Sequence, residues 1–533
     1  VHLMTMYDRV LGGLLKYPMT VVTVLMLGFC VSLLLYPKLG SAFFPRTDAG
    51  QFIVNLKAPS GTSLDVTEGK VKRVEQLVRE IVDPNDLEML VSNVGVVPDF
   101  SAIYTSNAAS HMAFVQVSLK EKRTTGSYAY MARVRERLRQ ELPELTTYFQ
   151  SGGFVDSVLN FGSPAPINVQ VSGPDMKTIF GVATRLAPEI RRLPGVNDVY
   201  IPQDFDLPAL RVDVDRRRAS LMGLSAREIV SNLITSVSSN SMIAPTFWTD
   251  PKSGNDYYLA VQYPERSVKQ VADLSQMPLR TASKATTTLD SVGTVSRGVS
   301  PTEIAHYGLR KVVDMYVNLE GEDLERSASA IERVLARREL PKGVRVDLRG
   351  SVHAMRASFK SFAGGLVLAT ALLYLILVAQ FRSFLDPLLI LLAVPMGLTG
   401  VLATLYSTDT TLNVQSLMGV IMMVGIVVSN SILIVEFTRR LRMEGMELAD
   451  AVQMAARVRL RPILMTSLAT IIGMMPMALK IGTGSEAYAP LARAVIGGMG
   501  VSLLLTVFIV PAAYLAVYRG RSATAGLPVE EEV

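Results

Sequence analysis

Three consecutive polar residues, Ser429, Asn430 and Ser431, stand in the middle of a long apolar stretch, the fourth of six along the chain. Polar side chains at mid-membrane depth are costly, and they usually face a bundle interior or a water path. The run therefore predicts an ion or solute transporter rather than a passive anchor. The alternative is that these hydroxyl and amide groups only join neighbouring helices by hydrogen bonds.

The composition indicates a membrane protein. Of 533 residues, 49% are hydrophobic and 19% charged, and the mean hydropathy is +0.31, which is too apolar for a soluble chain of this length. Six apolar stretches are long enough to cross ~30 Å of hydrocarbon. They are Met19–Tyr36, Ser361–Ala379, Pro387–Tyr406, Leu412–Val435, Ile463–Leu479 and Ala494–Tyr518.

The basic residues orient these stretches. The net charge is +6, but many Lys and Arg residues lie in short segments beside the stretches, as the positive-inside rule predicts, so we expect no nucleic-acid partner. This rule places both ends of the chain in the cytoplasm and the region 38–359 outside. The first stretch could also be a signal peptide, and Val1 is consistent with a fragment that lacks an upstream part.

The exported region alternates between strand and helix patterns. Apolar spacing predicts a helix at Thr67–Val82, and Ser225 with Glu228 three residues later is a capping box that predicts a second helix start. The order indicates two split βαβ units with an insertion at Asn240–Ile304, and therefore ferredoxin-like α+β lobes rather than a parallel sheet. The single cysteine, Cys30, lies in the first stretch, so the exported region has no disulfide.

A series of motifs then carries a resemblance to a known family. They are the segment 36–45 followed by Asp48, Gly50 and Gln51, the segment 381–387, Val394–Gly397, Ser416–Gly419, Asn430–Phe437, Arg459–Ser467, Gly473–Pro476 and Val510–Pro511. In this order they closely resemble the C-terminal half of resistance–nodulation–division (RND) efflux permeases of the hydrophobe/amphiphile branch. The resemblance covers nearly the whole chain.

The resemblance implies a proton-driven pump in the bacterial inner membrane with a large periplasmic region. A six-helix transmembrane bundle would carry two porter lobes and a docking insertion. The expected division is 1–37 for a cytoplasmic segment and the first span, 38–165 for the first lobe, 166–239 and 306–358 for the second lobe, 240–305 for the docking insertion, 359–518 for the other spans and 519–533 for a cytoplasmic tail. The expected partners are the N-terminal half of the permease, two more protomers of a homotrimer, a periplasmic adaptor, an outer-membrane channel and membrane lipids.

The resemblance also assigns proton-relay candidates, which are Ser429, Asn430, Arg459 and Thr466. Drug pumps of this branch carry a Lys where this chain has Ser429, and a hydroxyl cannot neutralise a carboxylate as an ammonium does. The chain therefore departs from the drug-pump pattern at that position. Arg459 could instead be a cytoplasmic anchor, and Thr466 could bond back to its own helix.

A substrate cleft is expected between the two lobes, with aromatic side chains that hold small hydrophobic substrates. The candidates are Phe100, Tyr104, Phe149, Phe154 and Phe161, and the alternative for each is ordinary lobe core. The dispersed histidines have no metal-ligand spacing, and the methionines of the spans fit gap filling better than Cu(I) binding. No catalytic motif stands out, so we expect a secondary transporter with no cofactor beyond the proton gradient.

The sequence therefore predicts one half of an exporter for hydrophobic or amphiphilic compounds within a tripartite assembly. The absence of a Lys at Ser429 keeps a second interpretation open, an RND-like factor that exports lipid or protein. A third is a membrane-anchored periplasmic scaffold without transport, which would not need the polar run.

Overall fold

The computed structural model describes residues 2–96, 107–160, 162–281, 285–482 and 484–519, without the side chains of 2–5, 154, 155, 157 and 265. The chain begins with helix α1 (His2–Leu14), which is joined by a tight turn to α2 (Pro18–Ser32). A 3-10 segment, Leu33–Lys38, extends α2 to the far side of the membrane. Pro18 at the first position of α2 suits a helix start because its missing N–H has no intrahelical partner there.

The first lobe has the order β1 (Gln51–Lys57), α3 (Leu64–Ile81), β2 (Leu87–Val94), β3 (Met112–Leu119), α4 (Ser127–Glu141) and β4 (Thr146–Ser151). Its antiparallel sheet has the strand order β2-β3-β1-β4, which is the ferredoxin-like arrangement of a split βαβ pair. The predicted periodicity of α3 is confirmed, because Val71, Val74, Leu77 and Val78 are buried against the sheet. A short helix, α5 (Phe154–Leu159), leads out of the lobe.

The second lobe opens with β5 (Ile167–Gly173), α6 (Met176–Arg191) and β6 (Val196–Tyr200). The chain then leaves this lobe and builds the insertion, 207–300, which has a small apolar core of its own. Its elements are β7 (Leu207–Val214), α7 (Arg216–Leu221), α8 (Ala226–Ser238), β8 (Phe247–Thr249), β9 (Asp256–Tyr258), α9 (Val271–Ser275), β10 (Pro278–Arg280), β11 (Thr286–Thr288), α10 (Leu289–Val292) and β12 (Gly293–Ser300).

The insertion begins earlier than the sequence indicated. β7 pairs along its full length with β12, from Leu207 against Ser300 to Val214 against Gly293. The expected boundary at 240 assigned β7, α7 and α8 to the second lobe. The strand pairing instead places them with the insertion, because the partner of β7 comes from the far end of the inserted segment. The capping box of Ser225 and Glu228 is present at the start of α8.

The chain returns to the second lobe with β13 (Ala305–Tyr307), β14 (Arg310–Leu319), α11 (Leu324–Ala336) and β15 (Arg345–Gly350). β14 lies between β5 and β6, and β15 pairs with the other edge of β5. The second lobe therefore repeats the strand order of the first lobe. The α+β prediction with ferredoxin-like lobes is confirmed.

Five further spans follow, made of α12 (Ser351–Phe381), α13 (Leu385–Leu391) with α14 (Ala393–Ser407), α15 (Val414–Met443), α16 (Leu448–Ala478) and α17 (Ala489–Tyr518). Together with α2 they are the six helices among the described residues that are long and apolar enough to cross a membrane. Several are longer than the apolar stretches that predicted them. Helix α12 begins at the end of β15, at Gly350, whose positive φ of 85° favours glycine and whose Cβ position lies 2.6 Å from the carbonyl oxygen of Pro166.

Helix α17 packs against α14, α15 and α16 and lies at the centre of the bundle. Its closest approach is to α14, where Gly497 meets Gly400 and Thr404 with no room for a Cβ on either glycine. Small residues at such crossings let helix backbones approach closely. About half of the most apolar part of α17 is buried, 56%, whereas the corresponding part of α2 and of α12 is only 6% buried.

The segment 39–48 joins the first span to the first lobe and contacts the second lobe, the membrane bundle and the first lobe. Ser41 accepts a hydrogen bond from Leu324 N at the start of α11, and Ala42 N donates to Leu412 O before α15. Asp48 accepts bonds from Ser127 at the start of α4, at 3.0 Å to its backbone nitrogen and 2.6 Å to its hydroxyl. We call this segment the linker.

Candidate functional site

The polar run at mid-membrane depth lies on α15, whose start is fixed by reciprocal 2.9 Å hydrogen bonds between Asn413 and Ser416. Successive helical residues are rotated by about 100°, so the three polar side chains point in different directions. Ser431 is buried and donates back to Val427 O at 3.1 Å. Ser429 is exposed on the outer surface of this bundle. Of the three, Asn430 is the one whose side chain donates a hydrogen bond to another helix.

Asn430 is the centre of a small polar cluster. Its amide donates to Ser467 Oγ on α16 at 3.4 Å. On its other side it lines a cavity of about 10 Å³ together with Ser502 and Thr506 of α17. Those two hydroxyls are buried and lie 2.8 Å apart. This volume is close to the minimum that holds one water molecule, so hydroxyl and amide groups of three helices surround space for about one water.

The structure does not bring the other relay candidates into this cluster. Thr466 is exposed and bonds back to Pro462 O at 3.1 Å, as the alternative interpretation had it. Arg459 is half-buried with its guanidinium 4.7 Å from the centre of the Phe437 ring, and its Nε has no hydrogen-bond partner among the described residues. Sequence reasoning missed Ser502 and Thr506, although two hydroxyls four residues apart in an apolar span are a usable signal.

A cavity of about 410 Å³ lies between the two lobes, close to the linker. Its walls come from the linker, α4, the end of β4, α5 and the loop after β14. Phe43 and Phe44 are in contact, with ring centres 4.7 Å apart, and Arg46 lies over the Tyr128 ring at 5.2 Å. The cavity therefore combines ring faces with charged groups.

Charges at this cavity are held in defined positions. Arg46 donates to the carbonyl oxygens of Leu319, at 2.9 Å, and of Glu320, at 3.2 Å. Burial raises the pKa of Asp156, although a hydrogen bond from Ser151 and the positive charge of Arg46 act against the rise. A carboxyl group whose pKa is raised by burial takes up a proton more readily than an exposed one, and in its charged form it can pair with a cation.

The predicted aromatic lining is only partly covered by the described residues. Phe149 is fully buried in the core of the first lobe, and it also borders the cavity, where the Arg135 guanidinium lies 4.4 Å from its ring centre. Phe100, Tyr104 and Phe161 lie outside the described residues, and so does the side chain of Phe154. The described rings at the cavity are mostly ones that the prediction did not name: Phe43, Phe44 and Tyr128.

The lobes are joined beside the cavity by a buried ion pair. Arg135 of α4 binds Asp198 of β6 through two nitrogens, Nε to Oδ1 and a terminal nitrogen to Oδ2, both at 2.9 Å. The two residues are only 8% and 4% exposed. Arg139 also approaches Asp198, at 3.6 Å, but it is half-exposed.

Comparison with known proteins assigns the family. The family model described as the AcrB/AcrD/AcrF family matches residues 1–518. The chain belongs to this family. The prediction of an RND permease is confirmed, and with it the placement in the inner membrane as a multi-pass protein with a large region outside the membrane. Members of this family are secondary transporters rather than enzymes.

Individual relatives are more distant. The cobalt-zinc-cadmium resistance protein CzcA of Cupriavidus metallidurans is 24% identical over 520 residues, which are 96% of this chain and 48% of that protein. Two crystal structures of a heavy metal efflux pump superpose with TM-scores of 0.84 and 0.85, at 26% and 25% identity, over 97% of this chain and 53% and 52% of theirs. The chain thus spans about half the length of these relatives. Their names do not support the hydrophobe/amphiphile branch that the sequence favoured.

Proposed function

We propose that this chain is one half of a proton-driven exporter whose cargo passes through the space between the two lobes. The cavity of about 410 Å³ carries the proposal. Its size lies within the range of small-molecule sites, and the linker, which follows the first span, forms part of its wall. Cargo that gathers at the periplasmic surface of the inner membrane would have a short path to it.

The lining favours an organic amphiphile as cargo. Phe43, Phe44 and Tyr128 offer ring faces to an apolar body, whereas Arg46 and Asp156 can pair with a polar or charged end. Ring faces hold apolar groups without strict directional demands. A pump with this lining would accept a class of compounds rather than a single molecule.

The second candidate cargo is a heavy-metal ion, and the names of the relatives favour it. Metal ions are held by clusters of His, Cys, Asp or Glu, or by soft thioethers. Within the described ranges no three His, Cys, Asp or Glu side chains are grouped so that they could hold an ion. Of the two candidates, the cavity chemistry supports the organic cargo and the family relatives support the metal.

Proton coupling would use Asn430 and the hydroxyls around it, since they lie between α15, α16 and α17 at mid-membrane depth. Ser429, on the open face of α15, would then meet a group from the other half of the pump. The low burial of α2 and α12, 6% in each case, also fits surfaces that a second six-span half, neighbouring protomers and lipid would cover. By analogy with the family, the chain would work with a periplasmic adaptor and an outer-membrane channel.

The test is export by cells that carry this chain in its native assembly, compared with cells in which its gene is deleted. Accumulation of an amphiphilic dye and sensitivity to cobalt, zinc and cadmium salts would be measured in both, with and without a protonophore. We expect dye accumulation to rise in the deletion strain and the difference to vanish with the protonophore. A change confined to metal sensitivity would replace the organic cargo by metal, and no change in either would refute export.

A cavity variant sharpens the test. Phe44→Ala removes a ring from the lining, and Phe384→Ala removes an exposed ring (74% exposed) on the other side of the membrane. Dye export should fall about fivefold or more in the first variant if the ring contributes ~1 kcal/mol to binding. The second variant should behave as the unaltered protein.

A further inference from the structure

A groove of about 460 Å³ lies on the outer surface of the membrane bundle, where α1 turns into α2. Its walls are the end of α1 with Tyr17, the first two turns of α2, and Phe508 of α17. Apart from Tyr17 and Thr20, the residues that line it are apolar. Val24 in its wall is 59% exposed, so the described part of the chain leaves the groove open toward the lipid.

The walls of the groove are held in place by contacts of α1 with two spans. The Tyr7 hydroxyl donates to Val507 O of α17 at 2.9 Å, and its ring centre lies 5.5 Å from that of Phe508. Asp8 pairs with Arg457 of α16 at 3.2 Å. Because α1 is fixed to both α16 and α17, the groove is a preformed feature of the bundle rather than a gap beside a loosely attached helix.

The depth of the groove matches one leaflet of the bilayer. The stretch from Tyr17 to Leu25 measures ~12 Å along the helix axis at ~1.5 Å per residue, and the hydrocarbon of one leaflet is ~15 Å deep, half of the bilayer core. Because α2 starts at the cytoplasmic surface, the groove lies within the cytoplasmic leaflet and reaches its polar boundary, where a tyrosine is typical. An acyl chain therefore matches the groove better than a water-soluble ligand.

Two cationic side chains lie at the polar end of the groove. Arg9 is one turn before Gly13 on the same face of α1, and Gly13 lines the groove. Lys16 is next to Tyr17 in the turn. Both cations are exposed, and neither takes part in an ion pair between described residues. Anionic lipid headgroups attract such cations at the cytoplasmic surface, so the charge at this end favours a negative headgroup.

We propose that this groove binds one anionic phospholipid of the cytoplasmic leaflet, with an acyl chain along α2 and Phe508 and the phosphate at Arg9 and Lys16. A zwitterionic lipid would match the apolar walls but not the uncompensated cations, and a free phosphate would match only the cations. Since a bound lipid contacts α1, α2 and α17 together, it stabilises the folded bundle by mass action. The site is independent of the proposed export, because it involves no cargo.

The experiment measures lipid binding to the full assembly, purified in detergent and depleted of lipid. The probes are dioleoyl phosphatidylglycerol, dioleoyl phosphatidylcholine, which has the same chains but no net charge, and glycerol phosphate, which has no chains. The shift of the unfolding temperature during each titration gives an apparent affinity, and native mass spectrometry counts the lipids bound per chain. We expect one phosphatidylglycerol per chain, bound about fivefold or more tightly than phosphatidylcholine, and no shift with glycerol phosphate.

Two variants address the two ends of the lipid. Gly13→Leu places a side chain in the groove, where a Cβ meets nothing within 4 Å, and should weaken phosphatidylglycerol binding about tenfold because the acyl chain would be overpacked. Its control is Gly365→Leu, at an exposed glycine of α12 that also has open space. The double variant Arg9→Gln/Lys16→Gln should abolish the preference for phosphatidylglycerol, whereas Arg382→Gln, an exposed cation at the cytoplasmic end of α12, should keep it.

Three outcomes overturn the proposal. If Gly13→Leu and Gly365→Leu bind phosphatidylglycerol alike, the groove is not the site. If the unaltered assembly binds both lipids equally, the contact is with bulk lipid only. If Gly13→Leu releases a protein subunit and leaves lipid binding unchanged, the groove holds a protein segment instead. Should Gly13→Leu fail to fold, the double charge variant decides, because a lipid preference equal to that of Arg382→Gln would refute the site.

Discussion

The lobes and the membrane bundle differ in which polar groups they bury and in how those groups are hydrogen-bonded. The lobes bury full charges and pair them across elements, as Arg135 does with Asp198. The bundle buries Asp386 near one end, where the carboxylate accepts a hydrogen bond from Tyr518 at 2.8 Å. Most of its other buried polar groups are hydroxyls and amides, and several of these bond within their own helix, as Ser431 does to Val427 O. Charge pairs give the lobes a few defined contacts that can break or form as units, whereas the bundle relies on close packing of small residues.

The largest loss of stability is expected when a buried charge pair of the lobes is broken. Arg135→Met leaves Asp198 buried without its partner, so we expect about 3–5 kcal/mol of lost stability. Arg139→Met, at the half-exposed neighbour of the same carboxylate, should cost about 1 kcal/mol or less. Thermal unfolding of both purified variants checks this. Similar losses in the two would mean that burial is not what makes the Arg135 pair strong.

The packing of the bundle gives the next effect. Gly497→Ala places a methyl group against Thr404 and the backbone of Gly400, and such overpacking should cost about 1–3 kcal/mol. Gly500→Ala, on the same helix, meets nothing within 4 Å and should be neutral or slightly stabilising. Unfolding of both variants in detergent measures the difference, and equal stabilities would show that α14 and α17 do not meet as described.

Asn430 should matter more for transport than for stability. Asn430→Leu removes the amide that donates to Ser467 and that lines the small cavity beside the hydroxyls of α17, and interhelical hydrogen bonds of this kind contribute only ~0.6 kcal/mol. We expect a nearly unchanged unfolding temperature and a loss of proton-dependent export. Ser429→Leu on the open face of α15 tests whether a second half contacts it. Unchanged export in both variants would refute the relay.

The smallest effect is a pH dependence in the first lobe. Burial alone would raise the pKa of Asp48, but hydrogen bonds from Ser127 and Gly50 and the charge of Arg123 lower it below its usual value. A lowered folded-state pKa adds stability above the unfolded value near 3.9, and this stability disappears as the pH falls through the folded value. Asp48→Asn should therefore unfold earlier than the unaltered protein at pH 7, and the difference should shrink as the pH falls below the unfolded value and on through the folded one. The exposed Asp347→Asn serves as the control for general charge effects.

The sequence predicted the two lobes well, because each repeats a local pattern. The apolar spacing of α3 and the capping box at Ser225 are set by residues three or four apart, and the structure has both. The boundary of the insertion was harder to predict, since β7 finds its partner in β12 about eighty residues later. Such a pairing leaves no local mark in the sequence.

The site was predicted less well for a similar reason. Ser429, Asn430 and Ser431 are adjacent in sequence, but helix geometry turns them in different directions, and of the three it is Asn430 that bonds to a neighbouring helix. The spacing of Ser502 and Thr506 could have marked them as polar positions of a span. That they and Ser467 lie beside Asn430 depends on how α16 and α17 cross α15, which is set by tertiary packing. Phe43 and Phe44, two aromatic residues of the cavity wall, belong to the linker. From the sequence this segment was interpreted as the end of the first span, not as part of a binding site.

The linker also has a mechanical consequence. Within ten residues it is hydrogen-bonded to α11, to the segment before α15 and to α4, so it cannot lengthen much without breaking one of these contacts. A displacement of the first span along its axis must pull on both lobes rather than stretch the chain. The linker would then work as a rigid connection that transmits force from the first span to the cavity wall. A short flexible insertion after Pro45 would uncouple the movement of the span from that of the cavity wall without altering the structure of the span or of the lobes.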